Sequence, residues 1–527
     1  MNRFLVKHYI LYIMLSLFFS CTLLTHSVAL ATESADIIPV QILTINDFHG
    51  TLAENAKNPG AAKLAQYIKD KKKENPSGTL IVSAGDMFQG SPDSNLLYGK
   101  TVVEMMNAIG FDAMTIGNHE FDWGVAILKQ RIAQSNFPYI SANITDKSTG
   151  TLADFVKPYA IFERNGLKIA IIGLTTPETA YKASGKVVSA YQFEYPATIV
   201  NALVPKLKQQ GVDIILVLSH LGSMMDQTTG KITGEAADLA MNTDGIDAII
   251  SGHSHQIVSG MVNHVPIVQA SYWGRAVGTI DISYNKSTKK IVSSSASTAI
   301  LPIQKLTADP QVKTILDQVQ TETASIKNTI LGRTIHELGH NRDVQEVSLL
   351  GQWTTDIMRS STDADIAFQN AGGIRTNIAA GNITLGNLYE VFPFDNTLVT
   401  MEMTGAQIIK VLEHGIQNNT IGMVQFSGIK VVYDQDQIDN QRIHVTLLDD
   451  TPLDLTRTYK VVTNDFMAAG GDNFTMFKEG NKQTDTNIPL RDICVTLIKK
   501  LKTINFNGDN RFIKMKAFSL TTLPKVA

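Results

Sequence analysis

An α/β protein of two domains is what the sequence predicts, and three observations carry that reading. The chain has 527 residues, 44% hydrophobic and 18% charged, enough apolar matter for a large core and too long for one ordinary domain. From about Val40 to Ile303, apolar runs of strand length alternate with stretches of helical periodicity, the pattern of helices layered on sheets. Five of the strand-like runs stop abruptly at Asp, Asn or His, where α/β sheets hold their ligands.

At the N-terminus, Arg3 and Lys7 precede an apolar stretch from Tyr9 to Leu24, and Ala29-Leu30-Ala31 offers the small residues a signal peptidase reads. Residues 1–31 are therefore expected to be a cleaved secretory signal, with a mature chain beginning near Thr32 in the periplasm or the medium. Ser16, Ser20, Thr22 and Thr25 interrupt the run and argue against a membrane anchor, while Phe18 and Phe19 fit lipid attachment at Cys21 poorly. Without Cys21 only Cys494 remains, so no internal disulfide is available and Cys494 is expected to be a small buried hydrophobe. No later stretch is long and apolar enough to span a bilayer. Lys+Arg 46 against Asp+Glu 49, a formal charge of −3, suggests neither a polyanion-binding surface nor a polybasic membrane patch, so a nucleic-acid polymer is not an expected partner. "KDKKKE" is basic, but Leu64, Tyr67 and Ile68 put it on the solvated face of an amphipathic helix.

The five runs are "VQILTINDFHG", ending at Asp47 and His49; "TLIVSAGDMFQGS", at Asp86; "DAMTIGNHEFD", at Asn118, His119 and Asp122; "VDIILVLSHLG", at His220; and "IDAIISGHSH", at His253 and His255. One Asp or His after a strand is ordinarily a turn residue or a satisfied imidazole. Carboxylate and imidazole repeated at five strand ends are what divalent transition metals bind. Seven candidate ligands, Asp47, His49, Asp86, Asn118, His220, His253 and His255, are too many for one tetrahedral ion and suit two ions sharing a bridging carboxylate, for which Asp86 is the natural choice.

With "NDFHG", "GDMFQGS", "GNHEFD", "SHLG" and "GHSH" in this order, the chain resembles the calcineurin-like metallophosphoesterases, and among them the 5′-nucleotidases, over nearly its whole mature length. The resemblance implies a layered domain with a central β-sandwich flanked by helices. It also implies one ion held by Asp47, His49, Asp86 and His255 and a second by Asp86, Asn118, His220 and His253. Zn²⁺ is the first expectation, with Mn²⁺ and Co²⁺ compatible. Relatives often carry Gln or Asn in place of His255. The implied chemistry is in-line attack of an activated water on phosphorus without a phosphoenzyme. His119 would stabilise the transition state or protonate the leaving group, and Asp122 would fix its tautomer. His264, His414 and His444 lack such company and are expected to be structural.

The layered domain is expected to run over 32–305. "DPQVKTILDQVQTETASIKNTI" follows, with Val312, Ile315, Leu316 and Val319 at helical spacing and Pro310 near the start, and predicts a linker helix within 306–330. A second mixed α/β domain is expected over 331–527. "HELGH", His336 to His340, matches the zinc-peptidase pattern H-E-x-x-H, but Gly332, Gly339 and Asn341 make its surroundings read as strand and turn rather than helix. "FQNAGGIR" sets a Gly372-Gly373 turn before Arg375, suited to meeting phosphate or carboxylate, while "VFPFDN" and "TNDFMAAGGDNF" place aromatics beside turns.

For these segments the 5′-nucleotidase resemblance implies that Phe394 and Phe466 sandwich a base, Asp472 binds ribose hydroxyls, and Arg342, Asn370 and Arg375 hold phosphate. It also implies a second domain that rotates to carry substrate to the metals. Ala371, Ala469 and Asn473 depart from common family residues, and Ala469 removes a possible base contact. The implied function is a dinuclear-metal 5′-nucleotidase acting on nucleoside 5′-phosphates, with ADP, ATP or UDP-sugars as further candidate substrates. A 2′,3′-cyclic-nucleotide phosphodiesterase/3′-nucleotidase is the alternative on the same fold. "GNHEFD" and "AAGGDNF" argue against it. A non-catalytic surface-binding protein is disfavoured because every ligand position is filled.

Overall fold

The structure, a computed structural model, describes residues 36–515 apart from 184, 435, 436 and 438–441. The expected signal segment 1–31 and Cys21 lie outside the described residues. Among the described residues no helix is long and apolar enough to cross a membrane.

The apolar runs are nearly continuous because both faces of their sheets are covered. Ile37–Ile45 pairs in parallel with Thr79–Ser83, which continues in parallel to Ala113–Thr115 and Tyr139–Ile140. Ala276–Asn285 and Lys290–Ile300 complete this six-stranded sheet antiparallel on the other side. A second six-stranded sheet has Ile214–His220 near its centre, in parallel with Leu167–Thr175 and with Ala248–Ile250.

Alternate residues then choose sides, as strand geometry requires. Val40, Ile42, Leu80 and Val82 face Ile169, Ile171, Leu216 and Leu218 in a core between the sheets. Leu43, Ile45 and Ile81 face away, toward Leu64, Ile68, Val102 and Met106 of the helices Gly60–Lys72 and Lys100–Ile109. Ile215 and Val217 face Val200, Val204 and Leu239 of the helices outside the second sheet. The result is helix, sheet, sheet, helix, as the resemblance implied, and in the basic run Lys71 and Lys73 pair with Glu74 and Asp70 at the surface while Lys69 turns to Asp309.

The sheets are stitched at the end where the polar residues emerge. The Thr115 hydroxyl, shared with the Ile140 carbonyl of its own sheet at 2.9 Å, reaches the Leu174 carbonyl of the other sheet at 3.0 Å, and Thr175 donates back to the Ile116 carbonyl at 2.7 Å. There Gly173 is obligatory: a Cβ on it would stand 2.2 Å from the Ile140 carbonyl oxygen.

The helix Pro310–Lys327 starts on Asp309, whose side chain accepts from the Val312 amide, with proline in the first turn where no amide is needed. Val312 and Val319 are buried, and Lys69 and Asp93 hold its two ends, through Asp309 and through Thr323 and Lys327. Beyond it, a five-stranded sheet has Ile366–Gln369 parallel to Thr458–Asn464, which is antiparallel to Thr397–Thr404. Helices cover both faces, with Ile408 and Val411 on one side and Ile357, Leu388 and Ile498 on the other. Cys494 is buried there and free, its thiol pushed far up by burial.

Gly173→Ala is expected to lower stability by about 1–3 kcal/mol, because the added methyl forces the two sheets apart at a packed junction. Thermal melting measures this, and an unchanged midpoint would show that the junction is looser than described.

Candidate active site

The polar residues that end the parallel strands of both sheets come to one edge. Asp47, His49, Asp86, Asn118 and His220 are buried there, and His253 and His255 are half-buried. Two clusters form: Asp47, His49 and His255, and Asp86, His220 and His253, each with ligand-type atoms within 4.8 Å of one another. Asn118 joins the second through its Oδ1, 3.2 Å from His220 Nε2.

The hydrogen bonds around the rings show what the clusters lack. His49 Nδ1 meets the Gln89 carbonyl at 3.1 Å and His220 Nδ1 the Ala84 carbonyl at 2.7 Å, so in both rings Nδ1 carries a proton and Nε2 is the nitrogen left to take a second proton or a metal ion. His49 Nε2 then faces His255 Nε2 at 3.1 Å, and His220 Nε2 faces Asp86 Oδ2 at 3.1 Å, Asn118 Oδ1 at 3.2 Å and His253 Nδ1 at 3.3 Å. His253 Nε2 is engaged by Glu178 at 3.0 Å, which turns Nδ1 inward. Asp47 Oδ2 takes the Asn46 side chain and the His253 amide, whereas its Oδ1 is buried and has only His255 Nε2 facing it, at 3.4 Å. Acceptors converging on acceptors demand a cation, and the N and O donor set suits divalent transition metals. These residues fit two such ions.

The ionisation of the clusters expresses the same demand. Burial alone would raise Asp86, but His220 and His119 hold it well below the usual carboxylate range. Burial alone would lower His220, but Asp86 pushes it up to about 10. A proton or a metal ion answers that pull, and the number of converging acceptors suits the ion.

The backbone is strained at the same points. Asp47, His49, Asp86, His253 and His255 all have positive φ, between 49° and 74°, a conformation L-residues enter at a cost of about 1–3 kcal/mol each. Glu120 holds part of this geometry. Its buried carboxylate accepts from the amides of Asp86, Met87 and Gly117, each at 2.8 Å, tying the Asp86 loop to the Asn118 loop. Burial and then Asp86 push its carboxyl up to about 7, against the amides that favour the anion. Glu120 stands inside "GNHEFD", yet its role required the fold. So did those of Glu178 and of Tyr272, which stacks on His255 with ring centroids 4.9 Å apart.

His119 stands beside the clusters, with its amide on Asp86 Oδ1 at 2.8 Å and its Nδ1 2.8 Å from Asp122 Oδ2. Burial would lower its pKa, but Asp122 and Asp86 outweigh burial and raise it to about 9. Its ring stacks on Phe394, centroids 5.5 Å apart and planes 28° apart, so the far end of the chain reaches the clusters.

The substrate-type residues leave one edge of the second sheet for the same topological reason as the ligands leave theirs. Asn370 follows Ile366–Gln369, Phe466 and Asp472 follow Thr458–Asn464, and Phe394 precedes the antiparallel Thr397–Thr404. Asn370 donates to Asp472 Oδ2 at 2.9 Å, and Asn370, Arg342 and Asp472 surround Gly372. Arg375 lies 6.0 Å from the Phe394 ring; burial and then Arg342 lower its pKa to about 10, and it has no ion pair among the described residues. Arg342 Nη2 reaches the Thr420 carbonyl at 3.1 Å. The Phe466 ring covers Gly471, where any side chain would collide with it. His414 has a structural role, with Nε2 2.8 Å from the Asp472 carbonyl. His336–His340 is not helical: His336 is exposed, and His340 lies 2.8 Å from Ser348 Oγ and 3.1 Å from the Ala371 carbonyl. The zinc-peptidase pattern is a coincidence of letters.

Comparison with known proteins matches the two regions separately. A family described as calcineurin-like phosphoesterase matches residues 40–257, and one described as 5′-nucleotidase, C-terminal domain, matches 325–479. The chain is 34% identical to Endonuclease YhcR of Bacillus subtilis over 83% of its own length and 38% of that protein's, so it spans well under half of this relative. It is 30% identical to Protein UshA of Yersinia enterocolitica over 85% of this chain and 88% of that one. The solved 5′-nucleotidase precursor from Thermus thermophilus superposes with a TM-score of 0.76 at 29% identity, covering 91% of this chain and all of that one.

Glu120→Gln keeps the size of the side chain but turns an N–H toward backbone amides. It is expected to cost about 1–3 kcal/mol and to lower metal retention. Melting combined with metal analysis reads both, and a variant equal to the parent in both would remove Glu120 from the site.

Proposed function

We propose, given that this chain belongs to the family joining a calcineurin-like phosphoesterase domain to a 5′-nucleotidase C-terminal domain, that it hydrolyses nucleoside 5′-phosphates to nucleoside and phosphate. The observation that supports the reading is the stacking of His119 on Phe394, a direct contact between the residue beside the acceptor clusters and one of the nucleotide-type residues. Asp47, His49, Asp86 and His255 would hold one ion, and Asp86, Asn118, His220 and His253 the other, with Zn²⁺ first and Mn²⁺ or Co²⁺ next. When bound, such ions supply Lewis acidity that eases deprotonation of water near neutral pH and offsets charge on phosphoryl oxygens.

The chain's own groups do the rest. His119, held by Asp122, which favours its protonated form, donates its Nε2 proton to the leaving oxygen. Arg375, half-buried without an ion-pair partner among the described residues, gains one in the phosphate, joined by Arg342 and Asn370. Phe394 and Phe466 clasp the base, and Asp472 accepts from the ribose hydroxyls. Export through residues 1–31 belongs to the same proposal. A second reading, phosphodiester cleavage, is favoured by the name of the Bacillus relative.

Chelation should abolish phosphate release from AMP, and Zn²⁺, Mn²⁺ or Co²⁺ should restore it. Full activity without metal would overturn the assignment, and a panel including a 2′,3′-cyclic nucleotide separates the two readings. His119→Ala should lower kcat by about a hundredfold or more, the usual size of a general-acid contribution, with metal content unchanged. Loss of bound metal would instead make His119 a ligand. Because Asp122 helps raise the His119 pKa, activity should be lost as pH rises through that value, and Asp122→Asn should move this alkaline limb to lower pH. A pH–kcat profile with an unmoved limb would count against His119 as the acid.

A further inference from the structure

The short segment after Glu178 crosses from the clusters to the substrate-type residues. Glu178 engages His253 Nε2 at 3.0 Å. Four residues on, across the single turn Thr179–Lys182, Lys182 Nζ donates to Asp472 Oδ1 at 2.8 Å. The segment then meets the second domain twice more. A Cβ on Gly185 would stand 3.3 Å from that of Ala469, and Lys186 pairs with Asp485. Ala469 is small where Gly185 of the layered domain packs against the loop that follows Phe466.

The Lys182–Asp472 pair differs from a surface ion pair. The side chains are only 24% and 11% exposed, and Asp472 is held from every side. Its Oδ2 takes Asn370, its carbonyl meets His414, and its φ is 51°. A carboxylate only accepts and an ammonium only donates, whereas a sugar hydroxyl does both. A carboxylate alone in a closed cleft would take the protons of a vicinal diol and leave its oxygens without donors, which is costly where water is excluded. A lysine ammonium beside it supplies those donors.

We propose that Lys182 is a specificity residue: with Asp472 it reads the ribose 2′,3′-diol as a donor–acceptor pair, one half supplied by the metal-type domain and the other by the nucleotide-type domain. The inference rests on the nucleotide reading above. It follows that the diol is recognised only when the two domains are together, with the phosphate already beside His119.

The test compares kcat/KM for AMP and for its 2′,3′-dideoxy counterpart in metal-resupplied wild type, Lys182→Met and Lys182→Gln. The two removals differ in side chain, so poor folding of one leaves the other to decide. Wild type should favour the ribonucleotide, and both variants should lower that ratio by about tenfold, the size of a hydrogen bond to a charged group. A loss shared equally by the two substrates would overturn the proposal, since a mere tie between domains cannot tell a diol from its absence. A wild type without ribose preference that favours AMP over a small aryl phosphate would overturn it and leave the nucleotide reading standing. A wild type indifferent between AMP and the aryl phosphate would remove both.

Discussion

Lone pairs facing lone pairs govern this structure. His220 Nε2 is surrounded by Asp86, Asn118 and His253, and His49 Nε2 by His255 and Asp47, and while each contact taken singly can be met by a proton, the converging set suits a cation held between them. Such groups are kept together only by a scaffold that pays in backbone strain and desolvation elsewhere. The positive φ values at five of the seven positions, the three amides gathered on Glu120 and the carbonyls that fix the histidine tautomers all serve that end.

The sandwich follows from the same requirement. One parallel sheet could deliver ligands along a line, but two sheets stitched at one end deliver them from both sides of a point. Thr115 and Thr175 make the stitches, and Gly173 lets the backbones approach closely enough to make them. Covering the outer faces with helices then makes the central parallel strands apolar nearly throughout, which is why the polar residues stand out so sharply where those strands stop.

The second domain reaches the clusters by repeating the device on another sheet. Asn370, Phe466 and Asp472 leave the carboxyl ends of parallel strands, and Phe394 enters an antiparallel neighbour at the same edge. The domains then meet edge to edge through His119 and Phe394, Asn95 and the Pro393 carbonyl, and Lys182 and Asp472. Neither domain alone presents the whole set of residues that these contacts bring together.

The sequence by itself determined the alternation of strand and helix, the covered faces of the sheets and the identity of the candidate ligands. These depend on local periodicity and on residue types that are conspicuous beside an apolar run, so "GNHEFD" and "GHSH" are legible without coordinates. It also showed why "HELGH" was suspect, because Gly332 and Gly339 interrupt any helix there. Only the tertiary structure decided which ligand-type atoms share a cluster, that Glu120 ties two of the loops, that Glu178 turns His253 inward and that Lys182 reaches Asp472. Most of those relations join positions far apart in the chain, 33 residues between Glu120 and Met87, 75 between Glu178 and His253 and 290 between Lys182 and Asp472, and Glu120, Glu178 and Lys182 look locally like ordinary surface carboxylates and lysines. What distinguishes them is burial and partner, and neither exists until the sheets have closed on each other.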